Sequence, residues 1–93
     1  MLDPGWKTLI EECNVPPHKT IKGYLDHICS EVLEAYKESD FPKAYWDLDG
    51  KPEGFGPEMA DIIILSLACC MHSGVDIQEA LDRKLEYLRK KWA

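Results

Sequence analysis

Basic charge is scarce in this chain: 11 Lys and Arg stand against 17 Asp and Glu, for a formal net charge of -6. The basic residues gather near the C-terminal end and form no stripe with interleaved aromatics. Nucleic acid is therefore a poor partner, because phosphate backbones are held by clustered Lys and Arg. Long hydrophobic runs are also missing. The longest largely apolar stretch, Ile62 to Met71, falls well short of the roughly 20 residues that span a bilayer. The opening Met1-Leu2-Asp3-Pro4-Gly5 has neither the basic nor the apolar region of a secretory signal, so the chain reads as soluble and cytoplasmic, with no membrane partner. Cysteine spacing is irregular at Cys13, Cys29, Cys69 and Cys70, which gives no disulfide framework and no CxxC metal clip. Reduced thiols packed in a core are expected. A zinc site from Cys69, Cys70 and His72 is disfavoured, because side chains so close together on one helix point in different directions. No internal repeat, low-complexity segment or β-sheet pattern is visible.

What is present is helical periodicity. The 93 residues make one domain, 1–93, which at this size buries only about 60–65% of its unfolded surface and so favours a partner subunit. Pro57 suits a first helical turn and Gly74 the position past a helix end, which predicts a helix over about 57–73. Asp76 followed by Glu79 opens a second helix over about 77–92, with Ile77, Leu81, Leu85, Leu88 and Trp92 at helical spacing. Upstream, Ile21, Leu25, Ile28, Val32 and Ala35 form one stripe, giving a helix over about 18–38 despite Gly23. A short helix from Trp6 to Glu12 precedes it. The expected fold is an all-α, small helical bundle with three main helices. Its middle helix is apolar nearly all round, so the missing cover is expected from a second copy: a homodimer, or a higher homo-oligomer, with a four-helix-type core. The loop from about 39 to 56 carries Phe41, Tyr45, Trp46 and Phe55, a composition that favours function over disorder.

Two pairs of acids stand out. Glu31 and Glu34 are three apart on the first long helix, in a row with His27 and Glu38, and taken alone they read as a solvated acidic face. Glu58 and Asp61 are also three apart, and Asp61 leads directly into the apolar run, where an unpartnered aspartate is costly. Two such pairs on neighbouring helices converge on one spot, and their repulsion calls for a cation. Oxygen-only ligands select Mg²⁺, with Mn²⁺ as a substitute. Glu-x-x-His, the di-iron pattern, is absent from these pairs. Lys84 falls in the stripe of the last helix, either snorkelling past the core or aimed at a phosphate.

Glu31-Val32-Leu33-Glu34, Glu58-Met59-Ala60-Asp61, the phrase Lys51-Pro52-Glu53-Gly54 and the Gly74 to Lys84 stretch together resemble the MazG-like all-α nucleoside triphosphate pyrophosphohydrolases, over about residues 24–87. Two departures accompany the likeness. Ser30 stands where the signature has its first glutamate, so one cation fewer, or one held through water, is expected; Leu88 replaces an asparagine usual four residues after the lysine. The resemblance implies hydrolysis of a nucleoside or deoxynucleoside triphosphate to monophosphate and pyrophosphate. Glu31, Glu34, Glu58 and Asp61 would hold Mg²⁺, Glu34 with Glu31 would activate water, and Lys84 would hold a phosphate oxygen. Trp46, Phe55 or Tyr36 would stack on the base, unless they are ordinary packing residues. The competing class is a non-catalytic helical interaction module with a degenerate site.

Overall fold

Helix α1 begins where Asp3 folds back on the chain: its Oδ1 accepts from the Gly5 amide at 2.8 Å and its carbonyl from the Trp6 amide at 3.0 Å. The computed structural model describes residues 3–13, 15, 17–40, 45–46 and 52–93, with the side chains of 45, 46, 52 and 53 excepted. Among these residues the fold is all-helical, built from α1 (Trp6–Glu12), α2 (Ile21–Lys37), α3 (Phe55–Ser73) and α4 (Ile77–Lys91). The loop between α2 and α3 adds an antiparallel ladder, β1 (Tyr45–Trp46) with β2 (Pro52–Glu53), pairing Tyr45 with Glu53 and Trp46 with Pro52. Two residues per strand are too few for alternation to show in the sequence.

The helix ends follow their caps. Thr20 Oγ1 accepts from the Gly23 amide at 3.0 Å, so α2 starts at Ile21, the first residue of its apolar stripe and three residues later than the expected start at about 18. Gly54 takes φ 102°, a value that favours glycine, and α3 opens directly after it, two residues before Pro57. At the far end Gly74 is left-handed, and Val75 donates to the Cys70 carbonyl at 3.0 Å, which satisfies a terminal acceptor. Asp76 then caps α4 by accepting from the Glu79 amide at 3.0 Å.

Helices α2 and α3 form the main packing pair, with α1 laid against α3 and α4 touching α3 only at its start. Ile10, Tyr24, Ala68 and Cys69 make the buried core, and Trp6, Val15, Ile64, Leu67 and Met71 pack around them. Cys69 is thus a core thiol as expected and Cys70 is half-buried, but Cys13 and Cys29 are exposed. The expectation of core thiols fails for those two: Cys13 is the exposed C-cap of α1, and Cys29 lies on an exposed position of α2.

Much apolar surface is uncovered. Leu33 is 63% exposed, Tyr36 78% and Ile63 56%, and no residue of α4 is buried. The accessible surface is 7270 Å², against about 5,500 Å² expected of a folded monomer of 10.7 kDa. The radius of gyration is 15.0 Å, against about 12 Å for a compact domain of this length. By length and apolar composition α3 could cross a membrane, yet its first turns carry Glu58 and Asp61, and it packs on α2 and α1.

Candidate metal centre

Packing of α3 on α2 sets the site. Glu31 lies in the middle of α2, and Glu58 and Asp61 lie in the first two turns of α3, on the same side because they are three residues apart. One carboxylate oxygen from each of Glu31, Glu58 and Asp61 falls within 4.8 Å of the others. Among the described residues this is the one group of His, Cys, Asp or Glu side chains with metal-ligand spacing; Cys69, Cys70 and His72 do not form one.

The electrostatics of the group centre on Glu58. Its carboxyl is pushed up to about 7, first by burial, then by a hydrogen bond with Glu31, and then by the charges of Glu31, Asp61 and Glu34. Its Oε2 is shut off from solvent with no hydrogen-bond partner among the described residues. A buried acceptor without a donor is costly, and a hard cation would satisfy it while relieving the repulsion around it. The donor set is all oxygen and therefore fits Mg²⁺ or Mn²⁺. The group withdrawn from water is Glu58, whereas Asp61 is exposed on the flank of the cluster. That corrects the expectation that Asp61 is the costly buried acid: α3 is turned so that Ile62 and Leu65, not Asp61, point inward.

Glu34 lies outside the tight cluster. It is exposed and pairs with Lys37, Oε1 to Nζ at 3.2 Å, although its charge still acts on Glu58. Lys84 is exposed on α4 with its Nζ 5.2 Å from the Tyr87 ring centre, so it snorkels over an aromatic face in this structure. Tyr36 projects into solvent, Phe55 is the half-buried first residue of α3, and the Trp46 side chain lies outside the described residues. Ser30 turns its hydroxyl back to the His27 carbonyl at 2.7 Å and brings nothing to the cluster.

A cleft of about 310 Å³ adjoins the carboxylates, lined by Cys13, Val15, His27, Glu31, Asp61 and Ile64 among others. A second concavity, about 610 Å³, lies at the α3–α4 turn and includes Lys7, Met71 and Asp76, roughly 20 Å along α3 from Asp61. Asp76 is already engaged as the cap of α4, so no set of free reactive groups converges there. The sequence reading gave no role to His27, although its i, i+4 spacing from Glu31 was a signal; its Nε2 lies 3.6 Å from Glu31 Oε1. No family model, curated protein or solved structure matches this chain.

Proposed function

We propose that the chain is a divalent-cation-dependent hydrolase of the MazG-like kind, splitting nucleoside or deoxynucleoside triphosphates into monophosphate and pyrophosphate in the cytoplasm, as a homodimer or higher homo-oligomer. The observation that carries this reading is the convergence of Glu31, Glu58 and Asp61 from two helices, with Glu58 half-buried among like charges and its Oε2 shut off from solvent without a partner among the described residues. Structural ion pairs also perturb acids, but every charge that raises Glu58 belongs to another acid, a repulsion that a cation or a proton among them relieves.

Bound Mg²⁺ would neutralise the triphosphate and lower the pKa of a water molecule. Glu31, Glu58 and Asp61 would hold the cation, and Glu34, one turn along α2, would leave Lys37 to take the proton from the attacking water. The water oxygen forms a bond to the α-phosphorus; the bond from that phosphorus to the bridging oxygen breaks, and its electron pair leaves with pyrophosphate. Lys84 reaches a phosphate oxygen from α4 once that helix is seated against a second copy, and Trp46, Phe55 or Tyr36 contacts the base. The uncovered faces of α2, α3 and α4 support an oligomer, since a surface about 1,800 Å² larger than expected is of the size subunit contacts remove.

A panel of ribo- and deoxynucleoside triphosphates, assayed with Mg²⁺ or Mn²⁺ for pyrophosphate, tests the activity. Monophosphate plus pyrophosphate is expected. Diphosphate plus orthophosphate would place attack at the γ-phosphorus and overturn the mechanism. No turnover with any nucleotide would favour the second reading, a non-catalytic interaction module, to which the exposed Tyr36, Leu33 and Trp92 also lend themselves.

A further inference from the structure

Two of the chain's three histidines, His18 and His72, meet around one buried ring, and the third, His27, touches His18. Tyr24 on α2 is 2% exposed. His72, near the end of α3, stacks on it with ring centres 5.8 Å apart and planes at 18°. His18, in the segment before α2, meets Tyr24 edge-on at 4.9 Å. From there a polar path runs toward the carboxylates: His18 Nε2 lies 3.0 Å from His27 Nδ1, and His27 Nε2 lies 3.6 Å from Glu31 Oε1.

The chemistry of this path assigns its protons. A carboxylate oxygen accepts, so in the tautomer that suits Glu31 the His27 Nε2 facing it carries the hydrogen. Its Nδ1 is then a bare acceptor, and His18 Nε2–H donates to it. Each ring thereby fixes the tautomer and the orientation of the next. We infer that His18 and His27 are positioning residues for the proposed cation site: His18, wedged against Tyr24, holds the His27 ring, and His27 holds the Glu31 carboxylate aimed at Glu58 and Asp61. The inference rests on the reading of Glu31, Glu58 and Asp61 as cation ligands.

Gly23 supports this arrangement independently. Glycine in a helix interior costs about 1 kcal/mol relative to alanine, and Gly23 sits in the first turns of α2. A Cβ there would stand 3.1 Å from His18 Cβ and 3.4 Å from Thr20 Oγ1. The absence of a side chain is what lets the His18 segment lie directly on the helix. Ordinary packing around Tyr24 would account for the two ring contacts but not for the pair of in-line nitrogen contacts that ends on a ligand carboxylate.

The test is Mn²⁺ affinity, read from the electron paramagnetic resonance signal of free Mn²⁺, for the full chain and four variants, with melting in chelator as the folding control. His18→Phe keeps an aromatic edge against Tyr24 and removes only the donor to His27. His27→Leu removes the contact to Glu31, and His27→Gln retains a donor for it. His18→Phe and His27→Leu are expected to bind Mn²⁺ about 10-fold or more weakly, as loss of a group that orients a metal ligand commonly does, with His27→Gln close to wild type. Should His27→Leu not fold, His18→Phe decides alone. Wild-type affinity in His18→Phe and His27→Leu, with Asp61→Asn defective, would overturn the positioning role and leave the cation site standing. Failure of wild type to bind Mn²⁺, or full binding by Asp61→Asn, would overturn the cation site and this inference with it.

Discussion

Glu58 on α3 and Glu31 on α2 bring carboxylate oxygens within 4.8 Å of each other, across the interface of the two helices that build most of the core. Two acids this close repel unless a proton or a cation relieves them. A proton on Glu58 and a cation in the cluster are therefore alternatives, and that competition determines how the protein should respond to pH, metal and mutation.

Stability should fall with rising pH when metal is withheld. The Glu58 carboxyl rises from 4.5 to about 7 on folding, so between those values the folded chain binds more protons than the unfolded one. The stabilisation is complete below pH 4.5 and is lost as pH rises through about 7. Melting in chelator from pH 5 to 8 should therefore show a decreasing Tm. Saturating Mg²⁺ should flatten the upper part of that curve and release protons on binding. A Tm that climbs with pH in chelator would contradict the assignment.

Glu58→Gln should keep the size and a donor in place of the protonated carboxyl while removing one charge from the cluster. In chelator at pH 8 it should be more stable than wild type by about 1 kcal/mol, or roughly 4–8 °C in Tm for a domain of this size. It should lose most of the Mg²⁺ shift and its turnover. Stability below wild type at pH 8 would mean that the ionised Glu58 is favourably partnered.

The capped helix ends were legible in the sequence because each rests on a residue with its own chemistry: Gly74 at positive φ and Asp76 accepting from the Glu79 amide. The grouping of Glu31 with Glu58 and Asp61 was legible from i, i+3 spacing on two helices. Which acid is withdrawn from water was not. Helix α3 is apolar nearly all round, so periodicity could not fix its rotation against α2, and Asp61 was taken as the buried group in place of Glu58. His18 lies outside any helix, nine residues from its partner His27, and no local spacing connects them. Lys84 was read as part of an apolar stripe; the stripe exists, but α4 has no buried residue against which to set it.

Ile63 marks the face of α3 that is left uncovered at 56% exposure. Ile63→Glu should leave the contacts within one chain intact and drive an oligomer to monomers at low micromolar concentration, with loss of thermal stability because the uncovered faces lose their partner. Sedimentation of wild type and variant checks this. A wild-type monomer that melts cooperatively would show that the chain is stable without a second copy.

Lys84→Met keeps most of the side chain's length and apolar stem. Folding should change little, because the Tyr87 contact is exposed, while kcat/KM falls by at least about 10-fold, equivalent to roughly 1.4 kcal/mol of lost transition-state binding. Full activity in that variant would leave Lys84 with its surface contact to Tyr87 as its only role.

The most direct test of the central claim, that Glu31, Glu58 and Asp61 form a cation site, is a melting series of wild type and Asp61→Asn in chelator and in millimolar Mg²⁺. Wild type should gain several degrees with Mg²⁺, as a ligand that binds only the folded state requires, while Asp61→Asn should gain little. Equal Mg²⁺ shifts in the two proteins, or none in either, would contradict the account and return the three carboxylates to an ordinary acidic surface.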